Sequence, residues 1–127
     1  MSKRCLFCFT LLVMLLAACA TTPTMTQQTA SYTVTLSFDT LAVGDRAATV
    51  NIRDSAGPVD NAEVIVTPTM LSMGMASPET VARPTGNGRY TSDAILISMV
   101  GDWELDVTIT RDGTSETARF LFTVATQ

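Results

Sequence analysis

Methionine is the residue type whose spacing in this sequence points most clearly to chemistry. Met70, Met73 and Met75 fall within one short segment, and Met99 follows later in the chain. Thioether sulfur is a soft, uncharged ligand that suits Cu(I) and suits zinc, magnesium or calcium poorly. The four methionines are therefore the candidate ligands of a Cu(I) site.

The same methionines have a second interpretation that the sequence leaves open. Methionine is a pliable filler of hydrophobic cores, and an exposed methionine surface can also adapt to a protein partner. Three of the four lie in residues 67–87, which the sequence predicts to be one long connection. Connections of that length in compact domains are usually functional or disordered.

Other reactive side chains are scarce. The chain has no histidine, its only lysine is Lys3, and its three cysteines all lie within the first 19 residues. Serine and threonine are plentiful but have no base to activate them. Glu104 and Asp106 alternate with apolar residues, which is typical of the solvated face of a strand. We therefore predict that the protein is not an enzyme.

The N-terminal residues predict export and lipidation. Lys3 and Arg4 precede an apolar run over residues 6–16, which has the length of a secretory signal core and is too short to span a bilayer. The tetrapeptide Leu-Ala-Ala-Cys that ends at Cys19 resembles the lipobox of bacterial lipoproteins, in which the cysteine is acylated and the preceding bond is cut. We predict a signal peptide over residues 1–18 and a membrane anchor at Cys19.

An ordinary signal peptide cut at Ala18 or Ala20 is the alternative, and it would leave a soluble protein.

Removal of the signal takes away two of the eight basic residues, so six basic residues face twelve acidic ones and the net charge becomes −6. Such a surface argues against nucleic acid as a partner. The residue that follows Cys19 is Ala20. An aspartate at this position would resemble an inner-membrane retention signal. We expect the cell envelope, at the periplasmic face of the outer membrane if the host has two membranes.

The rest of the chain predicts a linker and one all-β domain. Residues 19–31 hold the lipidated cysteine and a polar, threonine-rich stretch typical of a flexible linker, and residues 32–127 are long enough for one domain. In that domain apolar and polar residues alternate with the period of a strand, most clearly from Trp103 to Thr110. Turn residues separate the strands. The pattern favours an immunoglobulin-like antiparallel β-sandwich of six to seven strands, with Trp103 in its core.

Taken together, several segments resemble the YtkA-like domain family. The resemblance rests on a Gly-Pro-Val turn at 57–59, the methionine segment at 70–75, Gly-Arg-Tyr at 88–90 and Met-Val-Gly-Asp-Trp at 99–103. It spans roughly residues 32–124. It implies an exported immunoglobulin-like domain in a family whose members are often associated with copper handling.

For this chain the resemblance implies Cu(I) binding for copper buffering or delivery, with a copper-transport or oxidase-assembly protein as the partner. Many family members carry histidine near the methionine loop, and this sequence has none, so a Cu(II) site is not expected. The alternative is a non-metal-binding interaction or structural module of the cell envelope. A copper site needs the methionines gathered at one end of the domain, whereas core filling needs their sulfur atoms directed inward or scattered.

Overall fold

The computed structural model describes residues 22–127, which form ten strands and no helix. The predicted signal peptide at 1–18 and the predicted anchor at Cys19 lie outside the described residues. No helix in the described part of the chain is long and apolar enough to cross a membrane. The strands are β1 (Thr24–Gln28), β2 (Thr33–Phe38), β3 (Gly44–Asp54), β4 (Gly57–Pro58), β5 (Glu63–Met70), β6 (Met75–Ala76), β7 (Thr80–Gly86), β8 (Arg89–Ile97), β9 (Gly101–Arg111) and β10 (Thr114–Val124).

The strands form one continuous antiparallel sheet that is nearly closed into a barrel. Their order is β1-β2-β3-β8-β7-β5-β9-β10, with β4 beside β3 and β6 beside β5. The two edge strands, β1 and β10, contact each other. At that closure the backbone N–H of Ser31 donates a hydrogen bond of 2.9 Å to the Glu116 carboxylate.

The prediction of an all-β antiparallel fold is confirmed, but the sheet organisation differs from the prediction. Six or seven strands in two sheets were expected, and the structure has ten strands in one sheet. The reason is β7, which belongs to both halves of the sheet. Its first residues pair with β5, where Thr80 lies opposite Val66, and its later residues pair with β8, where Arg83 lies opposite Thr91.

Alternation along the strands separates a buried face from an exposed face. In β9 the residues Trp103, Leu105, Val107 and Ile109 are fully buried, and the residues between them face outward. This is the pattern expected for a strand with one face on the core. The predicted core position of Trp103 is confirmed. The largest fully buried side chains are Trp103, Tyr90, Phe38 and Phe120.

A polar connection ties the segment after β4 to β8. The Tyr90 hydroxyl donates a hydrogen bond of 2.8 Å to the Val59 carbonyl and accepts one of 3.3 Å from the Ala62 N–H. Burial raises the pKa of this hydroxyl, so it stays protonated and keeps donating. The Gly88 N–H also donates to the Asp60 carboxylate at 2.6 Å. These bonds satisfy buried polar groups that would otherwise be costly.

The described part of the segment 19–31, residues 22–31, differs from the flexible linker that was expected for that segment. Residues 24–28 within it form β1, which pairs with β2 along its whole length. The side-chain hydroxyls of Thr24 and Ser37 lie 3.1 Å apart, and those of Thr26 and Thr35 lie 3.2 Å apart. The threonines that make this segment look like a linker are the residues that bond it to the sheet.

The segment 67–87 is not one long loop, as was expected, because most of it is strand. β5 continues through Pro68 to Met70, and β6 and β7 follow. Pro68 does not end β5, since its carbonyl still accepts a hydrogen bond of 2.8 Å from the Ser77 N–H. What remains is the four-residue turn 71–74, a short connection at 77–79, and Asn87 in the turn between β7 and β8.

Candidate methionine site

All four candidate ligands lie at one end of the barrel, which we call the methionine end. It comprises the connections 39–43, 71–74 and 98–100 with the strand residues next to them. Met70 is paired with Met75 on β6 and with Trp103 on β9. Directly paired residues of antiparallel strands place their side chains on the same face. The connection 98–100, which contains Met99, leads directly into that part of β9.

The four methionines differ in exposure. Met70 is 7% exposed, whereas Met73, Met75 and Met99 are 57%, 60% and 41% exposed. Met70 also packs against the backbone of β9, since a Cβ placed on Gly101 would lie 3.1 Å from the Met70 Cε. The structure therefore places the four methionine positions at one end of the barrel. It also gives Met70 the burial that the core-filling interpretation requires.

The turn that carries Met73 is tied to β9. Gly74 has a φ of 60°, in the left-handed region that glycine adopts without strain, and this allows the chain to return into β6. At the start of the turn the Leu71 N–H donates a hydrogen bond of 3.0 Å to the Asp102 carbonyl. Met73 is thus exposed to solvent on a turn whose first residue, Leu71, is hydrogen-bonded to β9.

The position of Met99 depends on Trp103, a contact that the sequence analysis missed. The Trp103 Nε1–H donates a hydrogen bond of 3.0 Å to the Met99 carbonyl. Because the Trp103 side chain is fully buried, it holds the connection 98–100 against the core. The separation of four residues between Met99 and Trp103 is the only signal of this contact in the sequence.

The methionine end offers thioethers as its neutral metal-binding side chains. No group of three histidine, cysteine, aspartate or glutamate side chains within residues 22–127 could hold a metal ion. Asp39 is the only charged residue in the connections 39–43, 71–74 and 98–100, and its carboxylate lies 3.9 Å from the Arg46 guanidinium. This donor set fits a soft monovalent ion such as Cu(I) and does not fit hard cations.

The carboxylates of β9 lie on its outer face and are paired with one arginine. The Arg119 guanidinium donates hydrogen bonds of 2.9 and 3.1 Å to the two oxygens of Asp106 and lies 3.2 Å from the Glu104 carboxylate. Hydrogen bonding to Asp106 is the main cause that raises the pKa of Arg119. This is an ion-paired surface, and such pairs contribute little to stability.

The end of the barrel away from the methionines, which we call the opposite end, is polar. Arg111 and Asp54 form an ion pair there with an N···O distance of 2.9 Å. The hydrogen bond from Arg111 is the main cause that lowers the pKa of Asp54. A hydrogen bond from Ser31 likewise lowers the pKa of Glu116. Both carboxylates therefore stay charged well into mildly acidic solution.

Comparison with known proteins agrees with the fold and identifies the family. No curated protein sequence matches the chain. Among solved structures, the crystal structure of the PmoD soluble domain from Methylocystis sp. ATCC 49242 (Rockwell) is similar, with a TM-score of 0.58 and 15% sequence identity over 80% of this chain and 97% of that chain. At this identity the similarity shows a shared fold. The sequence profile of the YtkA-like family matches residues 26–108, from within β1 to β9, and the chain therefore belongs to the YtkA-like family.

Proposed function

We propose that this protein is a lipoprotein of the cell envelope that binds Cu(I) through methionine thioethers for copper buffering or delivery. The observation that carries the proposal is the location of Met70, Met73, Met75 and Met99 at one end of the barrel, three of them exposed. The connections at this end hold a single charged residue, Asp39. The association with copper handling that the family resemblance implies supports the same function.

In this proposal the exposed thioethers of Met73, Met75 and Met99 receive the ion, and Met70 supports them from the core. Bound Cu(I) supplies a soft acceptor for thioether lone pairs, and the protein supplies neutral ligands. Thioethers need no deprotonation before they bind a metal, in contrast to cysteine or histidine. Binding through them should therefore persist in mildly acidic solution. A partner in copper transport or oxidase assembly would collect the ion from this exposed end.

The second candidate function is an interaction module that binds no metal. It is favoured by the burial of Met70, whose methyl group packs against Gly101. In that function the exposed methionines form an adaptable apolar surface for a protein partner. The two functions differ in whether thioether sulfur, as opposed to apolar volume, is needed at these positions.

Replacing Met73 and Met75 together by leucine separates the two functions. Leucine keeps volume and apolarity, so the free energy of unfolding should change by less than about 1.5 kcal/mol. Anaerobic Cu(I) titration should show affinity reduced by at least about tenfold, because even the loss of groups that support a metal ligand has effects of that size. Wild-type protein should bind Zn²⁺ and Cu²⁺ weakly.

The matched control is Met25→Leu, at a partly buried methionine of β1. It makes the same chemical change outside the candidate ligand set, and Cu(I) affinity should stay at the wild-type value. An unchanged Cu(I) affinity in the double leucine variant would reject the copper site and leave the interaction module.

The proposed anchor has its own test in the Cys19→Ser variant. A hydroxyl cannot replace the thiol in forming the thioether-linked lipid, so the variant should lack acyl chains and remain a precursor that is not correctly matured. Mass spectrometry of the wild-type protein should show an acylated N-terminal residue at Cys19. A mature wild-type chain with an unmodified N-terminus at another residue would show that the segment is an ordinary signal peptide.

A further inference from the structure

Exposed apolar side chains concentrate at the methionine end. Nine large hydrophobic residues are exposed within the described part of the chain, and six of them lie in the connections of this end or directly after them. The other three, Val81, Leu96 and Leu121, lie on strands. The six residues are Val43, Leu71, Met73, Met75, Met99 and Val100.

The two ends of the barrel differ in polarity. Among residues 22–127, no exposed large hydrophobic side chain lies in the connections of the opposite end. That end instead carries the Arg111–Asp54 ion pair and the acidic residues Asp60 and Asp112. Clustered exposed apolar groups mark a surface that contacts another molecule or a membrane. We therefore expect the methionine end, and not the opposite end, to contact another molecule or a membrane.

The path of the chain from Cys19 into β1 indicates that the methionine end contacts a membrane. β1 starts at the methionine end, where the Phe38 N–H donates a hydrogen bond of 3.0 Å to the Pro23 carbonyl and Thr24 pairs with Ser37. Cys19 precedes Pro23 by four residues, which span at most about 14 Å when extended. A lipid attached to Cys19 therefore holds the methionine end close to the bilayer surface.

The opposite end of the barrel cannot be turned toward the bilayer by the same anchor. The longest strands between the two ends have 11 residues, or about 35 Å of extended chain. With β1 fixed in the sheet, the anchor segment is too short to turn the barrel around. A flexible tether over residues 19–31 would have allowed any orientation, and the pairing of β1 with β2 removes that freedom.

We propose that the methionine end docks on the lipid bilayer, with Val43, Leu71 and Val100 among the side chains that enter the interfacial region. This inference depends on the proposed anchor at Cys19 and does not require copper binding. Because the docking end also carries the methionines, a partner would collect the ion at the membrane surface. Apolar side chains in the interface contribute to membrane binding in proportion to the area that they bury. The acidic residues of the opposite end stay in water, where their charges are solvated.

Two single-cysteine variants test the orientation in the mature lipoprotein. Val100→Cys places a thiol at the methionine end, and Ser55→Cys places one in an exposed turn at the opposite end. Each full chain is expressed, purified after maturation, labelled with an environment-sensitive fluorophore and reconstituted without copper into phosphatidylcholine vesicles. The label at position 100 should show blue-shifted emission and be quenched by spin-labelled lipid. The label at position 55 should keep its aqueous emission.

A matched pair of charge substitutions tests whether the apolar side chains make the contact. Leu71→Asp places a charge at the methionine end, and Val81→Asp places one at an exposed position on β7 that pairs with Ile65 of β5, away from that end. In the labelled Val100→Cys background, Leu71→Asp should diminish the blue shift and Val81→Asp should leave it unchanged. Equal effects of the two substitutions would overturn the proposal.

The outcomes for orientation, anchor and copper are distinguishable. If the labelled protein floats with the vesicles but the label at position 100 stays aqueous, the docking proposal is overturned while the anchor stands. That result would assign the apolar end to a protein partner or to a second copy of the chain. If the protein does not float and its N-terminus is unmodified, both the anchor and the docking proposal fail. Neither result depends on Cu(I), which is measured separately.

Discussion

Replacing Trp103 by alanine is expected to remove a large part of the domain's free energy of unfolding. The side chain is fully buried on β9, and removal of a buried tryptophan costs about 3–5 kcal/mol through lost transfer free energy and the cavity left behind. Domains of this size have net stabilities of about 5–15 kcal/mol, and residues 22–127 contain no cysteine that could form a disulfide. Urea or thermal unfolding of the purified chain measures the loss directly.

Trp103→Phe is the control that separates packing from hydrogen bonding. Phenylalanine keeps much of the apolar ring but cannot donate to the Met99 carbonyl, so a loss of about 1 kcal/mol is expected for the missing bond, in addition to a packing loss from the smaller ring. Cu(I) affinity should also fall if the connection 98–100 helps to place Met99. A cooperative unfolding transition of Trp103→Ala close to that of wild type would contradict the core position.

Gly88→Ala is expected to be the second strongly destabilising substitution. Gly88 has a φ of 73°, and a Cβ there would lie 2.5 Å from the Ile52 carbonyl oxygen and 3.0 Å from the Pro58 Cβ. The left-handed conformation costs an alanine about 1–2 kcal/mol. The overpacking adds about 1–3 kcal/mol, because the obstructing atom belongs to the backbone of β3. Unfolding measurements should therefore show a loss of about 2–5 kcal/mol.

Gly113→Ala provides the matched comparison for this substitution. Gly113 also has a positive φ, of 77°, but a Cβ there would have no neighbour within 4 Å. Its alanine variant should therefore show only the backbone cost of about 1–2 kcal/mol. Equal losses in the two variants would mean that the close approach to Ile52 has no energetic weight. A larger loss at Gly88 measures how tightly the β7–β8 turn packs against β3.

The parts of the fold that follow from local patterns could be predicted from the sequence. The alternation along β9 identified a strand with a buried face and placed Trp103 in the core. The turn between β9 and β10 also follows from adjacent residues, because Asp112 and Gly113 both have positive φ, of 52° and 77°, as a two-residue turn of type I′ requires. These features depend on residues close together in the chain.

The strands that were missed lack that local pattern. β1 is exposed along most of its length, and β7 buries only Ala82, so neither shows the apolar alternation of a half-buried strand. Both are strands because of their partners, β2 for β1 and both β5 and β8 for β7. The barrel-like closure follows from those pairings, which no short window of sequence contains.

The residues of the candidate site could be predicted from the sequence, but the burial of each one could not. Spacing alone singled out Met70, Met73 and Met75, and the sequence before Trp103 added Met99. The burial of Met70 depends on Gly101, which is distant in sequence and becomes its neighbour through the pairing of β5 with β9. The sequence therefore could not show that one of the four methionines is packed into the core.

Both ends of the described chain leave the barrel on the same side. Pro23 lies beside Phe38, and at the other terminus Val124 pairs with Gly101, so residues 125–127 emerge next to the connection that carries Met99. A reporter protein or affinity tag fused after Gln127 would therefore crowd the methionines and obscure both metal binding and lipid contact. The turn at Asp112–Gly113, at the far end of β9 and β10, is the better insertion point for a probe.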